Sequence, residues 1–309
     1  MKRISVILST FNGEKYIIEQ LESLRTQTRK IDEVIIIDDC STDSTVPLIR
    51  KYIHQYELNW ECKVNSKNIG WKKNFVSGLK RTRGDYIFFC DQDDIWKTKK
   101  VEKCIEQMER NPEILLLVTD YDKLVYKRNG KTKLVSSNKV ITNAKKYLPQ
   151  RNYLYVRYPG CTYCMKAEIK KYYDIYWDEE IPHDALAWTI ASAMDRLYVL
   201  PQALIIYRRH QHTATGRSIN KLSQRISSVE LHDKFIKIYE EIEKKGYYNI
   251  NISANDRKQI KRWMENRNNI LRNRDIIAVL NNLRYLKYYW SIKTFFADVF
   301  ICRKRGTYE

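Results

Sequence analysis

Over its first hundred residues the chain alternates strand and helix patterns four times, and this alternation constrains the fold more than any other feature. Arg3 to Ser9, Glu33 to Ile37, Cys62 to Asn65 and Tyr86 to Cys90 read as short strands. Between them lie helix patterns at Glu14 to Gln27, where Ile17, Leu21 and Leu24 share a face, at Pro47 to His54 and at Lys72 to Arg81. A helix from about Thr98 to Arg110 and a strand from Ile114 to Thr119 continue the series. Such a series folds by right-handed βαβ crossovers into a mostly parallel sheet covered by helices on both faces.

Polar clusters follow three of the strands: Ser9 to Gly13, Asp38-Asp39, and Asp91 to Asp94. Parallel strands bring those ends to one edge of the sheet, where open α/β sheets bind ligands. The third cluster is the sharpest, because five apolar residues, Tyr86-Ile87-Phe88-Phe89-Cys90, run straight into Asp91-Gln92-Asp93-Asp94. A run without a polar face reads as a strand buried on both sides. Asp91 and Asp93, two apart in a short turn, suit a hard cation such as Mg²⁺ or Mn²⁺, which takes few carboxylates and keeps places for phosphate oxygens. The alternative is a solvated acidic turn, with Asp94 capping the next helix. No G-x-G-x-x-G follows the first strand and no G-x-x-x-x-G-K-[ST] occurs anywhere, so phosphate binding falls to a metal and basic side chains.

Past residue 120 the pattern loosens. Asn129-Gly130, between Leu124-Val125-Tyr126 and Leu134-Val135, is a hairpin signal. Residues 136 to 157 carry no readable period. Pro159 to Cys164 reads as a loop entering a strand, Ile181-Pro182-His183-Asp184 as a loop opening a helix to about Met194, and Leu197 to Leu200 and Leu204 to Tyr207 as two short strands. From about Ser218 long helical patterns take over. The expected organisation is an α/β region over 1–217, its regular half to 120 and a looser half after it, and a basic helical region over 218–309.

The formal charge of +19 attracts anionic partners without choosing among nucleic acid, lipid head groups and phosphorylated small molecules. From Arg217 onward twenty Lys and Arg face ten Asp and Glu, so about half the excess lies in the last third. Leu280 to Ile301 mixes Leu283, Tyr285, Leu286, Tyr288, Tyr289, Trp290, Phe295, Phe296 and Phe300 with Arg284, Lys287 and Lys293. Aromatics beside bases suit a helix lying in an anionic membrane interface. A helix packed on the rest of the protein, or pairing two copies into a dimer, is the competing reading. Seven cysteines without a C-x-x-C pair argue against a disulfide framework and a structural zinc site. No apolar run reaches eighteen residues and Met1-Lys2-Arg3 leads directly into a strand, so the expected place is the cytosol, peripheral to the inner face of the cell membrane. A nucleic-acid-binding protein would account for the charge, yet acid clusters at a sheet edge repel phosphates unless metal-loaded. A nucleotidyltransferase would carry a Gly-rich loop with a base after the first strand, which Thr10-Phe11-Asn12-Gly13-Glu14 is not.

Over roughly residues 3 to 216 the chain resembles the family 2 glycosyltransferases of the GT-A fold. The likeness rests on Ser5 to Gly13, Ile37-Asp38-Asp39-Cys40-Ser41-Thr42-Asp43-Ser44-Thr45 and Asp91-Gln92-Asp93-Asp94-Ile95-Trp96, in the family's order and spacing. Gly160-Cys161-Thr162, His183-Asp184 and Tyr207-Arg208-Arg209-His210 look most like bacterial rhamnosyltransferases of cell-wall and capsular polysaccharides. The resemblance implies a GT-A sheet with a C-terminal helical extension, a nucleotide-sugar donor (dTDP-rhamnose before UDP-hexoses) and a polysaccharide or lipid-linked oligosaccharide acceptor. It implies Ser9, Phe11, Asn12, Asp39, Lys72, Asp91, Gln92 and Arg208 at the donor, Asp91, Asp93 and His210 at the metal, and Asp184 as general base. Asp184 also fits a helix N-cap, and Asp38 a residue that only holds its loop. Two departures stand out: Cys40 occupies a place usually given to Gly, and Ala185 one often given to an aromatic.

Overall fold

The computed structural model describes residues 2–126, 132–137, 141–150, 152–209 and 221–303. The described residues group into two compact units, one from 1–147, 158–191 and 196–213, the other from 148–157, 192–195 and 214–309.

The first unit carries the alternating pattern: β1 (Ile4–Thr10), α1 (Ile17–Arg25), β2 (Glu33–Asp38), α2 (Thr45–Gln55), β3 (Glu61–Val64), α3 (Trp71–Arg81), β4 (Tyr86–Asp91), β5 (Ile95–Trp96) and α4 (Lys100–Arg110). It continues with β6 (Leu116–Tyr126), β7 (Thr132–Val135), β8 (Lys145–Lys146), β9 (Tyr163–Lys166), α5 (Lys170–Tyr176), α6 (His183–Ala193) and β10 (Leu197–Arg209). The sheet order is β3-β2-β1-β4-β9-β6-β10-β5, with β7 on β6 and β8 on β10. The β3, β2, β1 and β4 pairings are parallel, as is β6 with β10, while β9 runs antiparallel between β4 and β6. This is the mostly parallel α/β sheet expected from the alternation.

Apolar runs explain the central strands. Tyr86, Ile87, Phe88, Phe89 and Cys90 are all buried, because α3 and α4 cover the two faces of the sheet. Each large side chain so buried contributes about 1.5–3 kcal/mol. Gly78 lets α3 approach closely, since a Cβ there would lie 2.5 Å from Ile7 Cγ2. That approach sets Asn74, on the same helix, beneath the ends of β1 and β2.

Several details differ from the sequence reading. Leu197–Leu200 and Leu204–Tyr207 belong to one strand, β10, whose register slips between Leu200 and Ala203 and again between Ala203 and Ile206. Pro201 sits in that stretch, and its missing N–H turns a would-be strand end into a bulge. Asp94 does not cap α4, whose N-cap is Lys99 without a side-chain cap bond. The Asn129-Gly130 hairpin tip lies outside the described residues, but its flanks pair antiparallel as β6 and β7.

The second unit is helical: α7 (Leu222–Lys244), α8 (Ala254–Asn273), α9 (Ile276–Asn282), a 3₁₀ turn over Leu283–Tyr288, and α10 (Ile292–Arg303). Leu280 to Ile301 is therefore not one helix. The chain breaks because Tyr288, Tyr289 and Phe295 turn inward beside Trp263, which a straight helix could not arrange. Inside the unit Asp298, fully buried, accepts from Arg225 at 2.5 Å and from Arg267 at 2.8 Å, joining α7, α8 and α10. Among the described residues no helix is long and apolar enough to cross a membrane.

Candidate active site

The site is assembled at the carboxyl ends of β1, β2 and β4. Parallel pairing puts Ser9 level with Asp91 and Thr10 level with Asp38. The Ser9 hydroxyl accepts from Asn74 Nδ2 at 2.7 Å, and the same amide also donates to Ile37 O. Beyond β1 the chain is held by side chains rather than by a helix. Gln92 grips the main chain of Phe11 at both ends of its amide, accepting from Phe11 N at 2.8 Å and donating to Phe11 O at 2.9 Å. Asn12 adopts φ 47°, its N–H donates to Ser41 Oγ and its Oδ1 accepts from Thr42 N. Phe11 itself is 43% exposed, an aromatic face open to solvent at the sheet edge. Gln92 and Asn12 thus brace the loop that presents Phe11.

The Asp38-Asp39 pair divides its work. Asp38 accepts from Thr10 Oγ1 and from both N–H and Oγ of Ser41, so it closes its own loop. Asp39 accepts from Asn65 Nδ2 at 3.0 Å and from the N–H groups of Ile69 and Gly70, both at 2.8 Å, which fixes the loop leading into α3. Directly after the pair, Cys40 takes φ 65°, the left-handed region where a β-carbon is disfavoured. The residue that replaces a customary Gly therefore still adopts the conformation a Gly favours.

At the end of β4, carboxylates crowd together. Asp91, Asp94 and Cys161 place ligand atoms within 4.8 Å of one another. Burial first, then the neighbouring carboxylates Asp94, Asp93 and Asp184, holds Asp91 well above the ordinary carboxylate range. Burial and Asp93 raise Asp94 to about 7. Asp94 Oδ1 accepts from Arg208 N at 3.0 Å, tying the acidic turn to β10, while its buried Oδ2 takes no hydrogen bond. Lys100, a cation that lowers the Asp94 pKa, is itself fully buried. It donates to Cys161 O at 2.6 Å and lies 3.7 Å from the centre of the Trp96 ring, so its charge is spent below the cluster.

This arrangement fits a divalent cation. An orphaned buried carboxylate oxygen beside a second acid is the environment a cation repairs, and oxygen donors suit Mg²⁺ or Mn²⁺. Burial pushes the Cys161 thiol well above its usual pKa, so it stays protonated and does not favour a soft metal. Asp93 is half-buried beside both, and His210 lies outside the described residues.

Asp184 stands in the first turn of α6, inside the helix and not at its N-cap. Its Oδ1 accepts from Ala185 N at 2.9 Å, and the N–H of Gly160 also faces the carboxylate. Burial raises its pKa and these N–H groups partly offset the rise. Gly160 is required for this approach, since a Cβ there would lie 2.8 Å from Asp184 Cβ and 3.2 Å from His183 Nε2. The 3₁₀ turn Gly160–Thr162 is thus shared: Gly160 meets Asp184, the Cys161 thiol meets the acid cluster, and the Cys161 carbonyl is held by Lys100. His183 is buried in an aromatic box, stacked on Phe75 at 3.8 Å and edged by Phe89 and Trp71, and burial lowers its pKa to about 3. It is a neutral packing residue.

Two candidate donor-binding cations have protein partners. The Arg208 guanidinium pairs with Glu19 of α1 and lies over the Tyr16 ring at 5.0 Å. Lys72 donates to Glu180 O at 2.6 Å. Asn74, Lys100 and Glu19 stand in no motif, and Cys161 stands only in the Pro159–Cys164 loop pattern and in a motif of the resemblance. Lys100 in an amphipathic pattern reads as a solvated charge, and its one sequence signal is Trp96 four residues earlier.

Residues 5–176 match the model of glycosyl transferase family 2. The chain belongs to that family. The match covers more than half of its 309 residues and includes every acid of the β1, β2 and β4 ends. The chain is 28% identical over 229 residues to the dTDP-rhamnosyl transferase RfbG of Shigella flexneri, covering 69% of this chain and 75% of that protein. An uncharacterized glycosyltransferase of Haemophilus influenzae is 27% identical over 215 residues, 67% of this chain and 65% of its own length. With Mycobacterium tuberculosis proteins the chain spans 59% of their length at 26% identity. Among solved structures, Staphylococcus aureus TarS bound to UDP-GlcNAc superposes with TM-score 0.60 at 19% identity, covering 96% of this chain and 81% of that one. A Pyrobaculum calidifontis mannosyltransferase with GDP-Man and Mn²⁺ gives TM-score 0.54 at 14% identity, covering 97% and 84%. These two show a shared GT-A fold. Family membership sets aside the nucleic-acid-binding and nucleotidyltransferase readings.

Proposed function

We propose that this glycosyltransferase moves a sugar, with inversion, from a nucleoside-diphosphate donor to a hydroxyl of a growing cell-surface polysaccharide. The observation that carries the reading is the placement of Asp184 close enough to Asp91 for its charge to raise the Asp91 pKa, with Ser9 of the Ser9–Asn12 loop level with Asp91. Inversion is an in-line displacement, so one carboxylate must take the acceptor proton on the face opposite the departing nucleotide. Asp184, fixed by main-chain N–H groups and with its pKa raised, is suited to hold that proton. Phe11 offers its exposed ring to the base, Asp39 keeps lone pairs for its N3–H, and Ser9 and Asp91 face the ribose or the metal. Asp91 and Asp93, joined here by Asp94, would hold Mg²⁺ or Mn²⁺. That ion, when bound, supplies charge stabilisation for the leaving diphosphate.

For the donor, dTDP-rhamnose is favoured by RfbG, and a UDP-hexose is the alternative, as in the UDP-GlcNAc complex of TarS. The net +10 of the last third further supports a peripheral place on an anionic membrane, beside a lipid-linked acceptor. Asp184→Asn tests the core of the proposal. It keeps shape and removes basicity, so turnover falls by about 10² or more while donor affinity holds. Loss of donor binding instead would move Asp184 out of the base role.

A further inference from the structure

The helical unit exposes apolar side chains at helical spacing. In α9, Ile276, Ile277 and Leu280 are 72%, 69% and 60% exposed, and Leu283 continues the stripe one turn on. In α10, Ile292, Phe296 and Phe300, spaced four apart, are exposed at 56%, 60% and 60%, and Trp290 between the two helices at 58%. The opposite sides of the same helices are spent in the core through Ala278, Asn282, Phe295 and Asp298. An apolar stripe opposite a buried one is a second face, and isolated exposed residues do not show this period.

Charge identifies what covers it. Arg284, Lys287 and Lys293 are exposed along this stretch. Between Ile276 and Arg303 the only acid is Asp298, which is buried between Arg225 and Arg267. Asp275, just before, is occupied in capping α9 through Ile277 and Ala278. A symmetric contact with a second copy would set these cations against their own equivalents with no acid of the stretch to receive them. A bilayer carrying anionic lipid matches both features, taking apolar side chains at the acyl boundary and bases at the head groups.

We propose that α9, the following 3₁₀ turn and α10 form a monotopic docking face for an anionic bilayer, with Ile276, Leu280, Trp290, Phe296 and Phe300 entering the interface and Arg284, Lys287 and Lys293 at the head groups. The inference sharpens the membrane-side reading above and rests on it only for why an enzyme of this kind should sit there. The test is co-sedimentation of the full chain with vesicles of phosphatidylcholine alone or with phosphatidylglycerol, at low and high salt. Binding is expected to the anionic vesicles, weakened by salt. Phe296→Ser and Leu280→Ser should each lower the partition coefficient by about tenfold, and Lys287→Gln and Lys293→Gln by about fivefold each. Equal binding to neutral vesicles, no binding, or a dimer in sedimentation velocity that Phe296→Ser dissolves would overturn the proposal. Nucleotide-sugar hydrolysis without vesicles is measured in parallel. Vesicle binding without turnover would defeat the enzymatic reading and leave the docking face standing.

Discussion

Two buried aspartates, Asp94 at the sheet edge and Asp298 among the C-terminal helices, sit in opposite electrostatic company. Asp298 takes one guanidinium on each oxygen, from Arg225 and Arg267, and ties three helices together. Asp94 has one main-chain N–H, the Cys161 thiol and other acids as neighbours, no guanidinium on either oxygen, and its pKa rises to about 7. A buried charge is tolerated when it is paired, and costs several kcal/mol when it is not. The contrast shows which acid belongs to the architecture and which leaves room for a cation from outside the chain.

The largest effect expected is on the architectural acid. Asp298→Asn leaves two buried guanidinium groups uncompensated and should destabilise the protein by about 3–5 kcal/mol. Chemical denaturation would show this, while transfer below the melting transition should persist. If stability is unchanged, Asp298 is not the clamp described here.

Asp94 should behave in the opposite sense. Its folded pKa lies above the ordinary carboxylate value of 3.8, so the folded state binds the proton more tightly than the unfolded state. Without metal, this group therefore costs stability as pH rises from about 4 through 7. The full cost above pH 7 is at most about 4 kcal/mol, at 1.36 kcal/mol per unit. Asp94→Asn should remove this group's share of the loss, so melting curves of the EDTA-treated variant would fall less steeply between pH 5 and 8, with Asp91 supplying the slope that remains. A wild-type curve that is already flat would mean that Asp94 is compensated by a group other than those named.

The contrast between the two acids also marks what the sequence made legible. The β1, β2 and β4 ends were readable because parallel strands with apolar runs must deliver their following residues to one edge, and Asp91, Asp93 and the Ser9–Gly13 loop follow from that alone. Gly160, Cys161, Lys100 and Asn74 were not, because their roles arise from approaches across 61 residues, as between Lys100 and Cys161, and no local period encodes them. Arg208 was placed at the donor from its motif, yet its side chain is engaged by Glu19, almost two hundred residues earlier. The break at Tyr289 was hidden for a related reason: composition showed aromatics and bases, but only packing against Trp263 decides which aromatics turn inward.

A smaller effect belongs to Cys40, held at φ 65° directly after Asp39. Cys40→Gly relieves the left-handed strain but loosens the unfolded chain, so a net gain of about 1 kcal/mol or less is expected, read as a slight rise in Tm. A fall would mean that the Cys40 side chain packs to more effect than its conformation costs.

The central claim, that the sheet-edge acids hold a cation bridging to a nucleoside diphosphate, is tested most directly by thermal shift of the purified chain. Wild type and Asp93→Ala would each be measured with Mn²⁺, with dTDP or UDP, with both, and with both plus EDTA. The account predicts that metal and nucleotide together stabilise wild type by more than the sum of their separate shifts, reaching about 2.7 kcal/mol at a hundredfold excess over Kd. It also predicts that Asp93→Ala and EDTA each abolish the surplus. Equal stabilisation by the nucleotide with EDTA present, in wild type and variant alike, would contradict it.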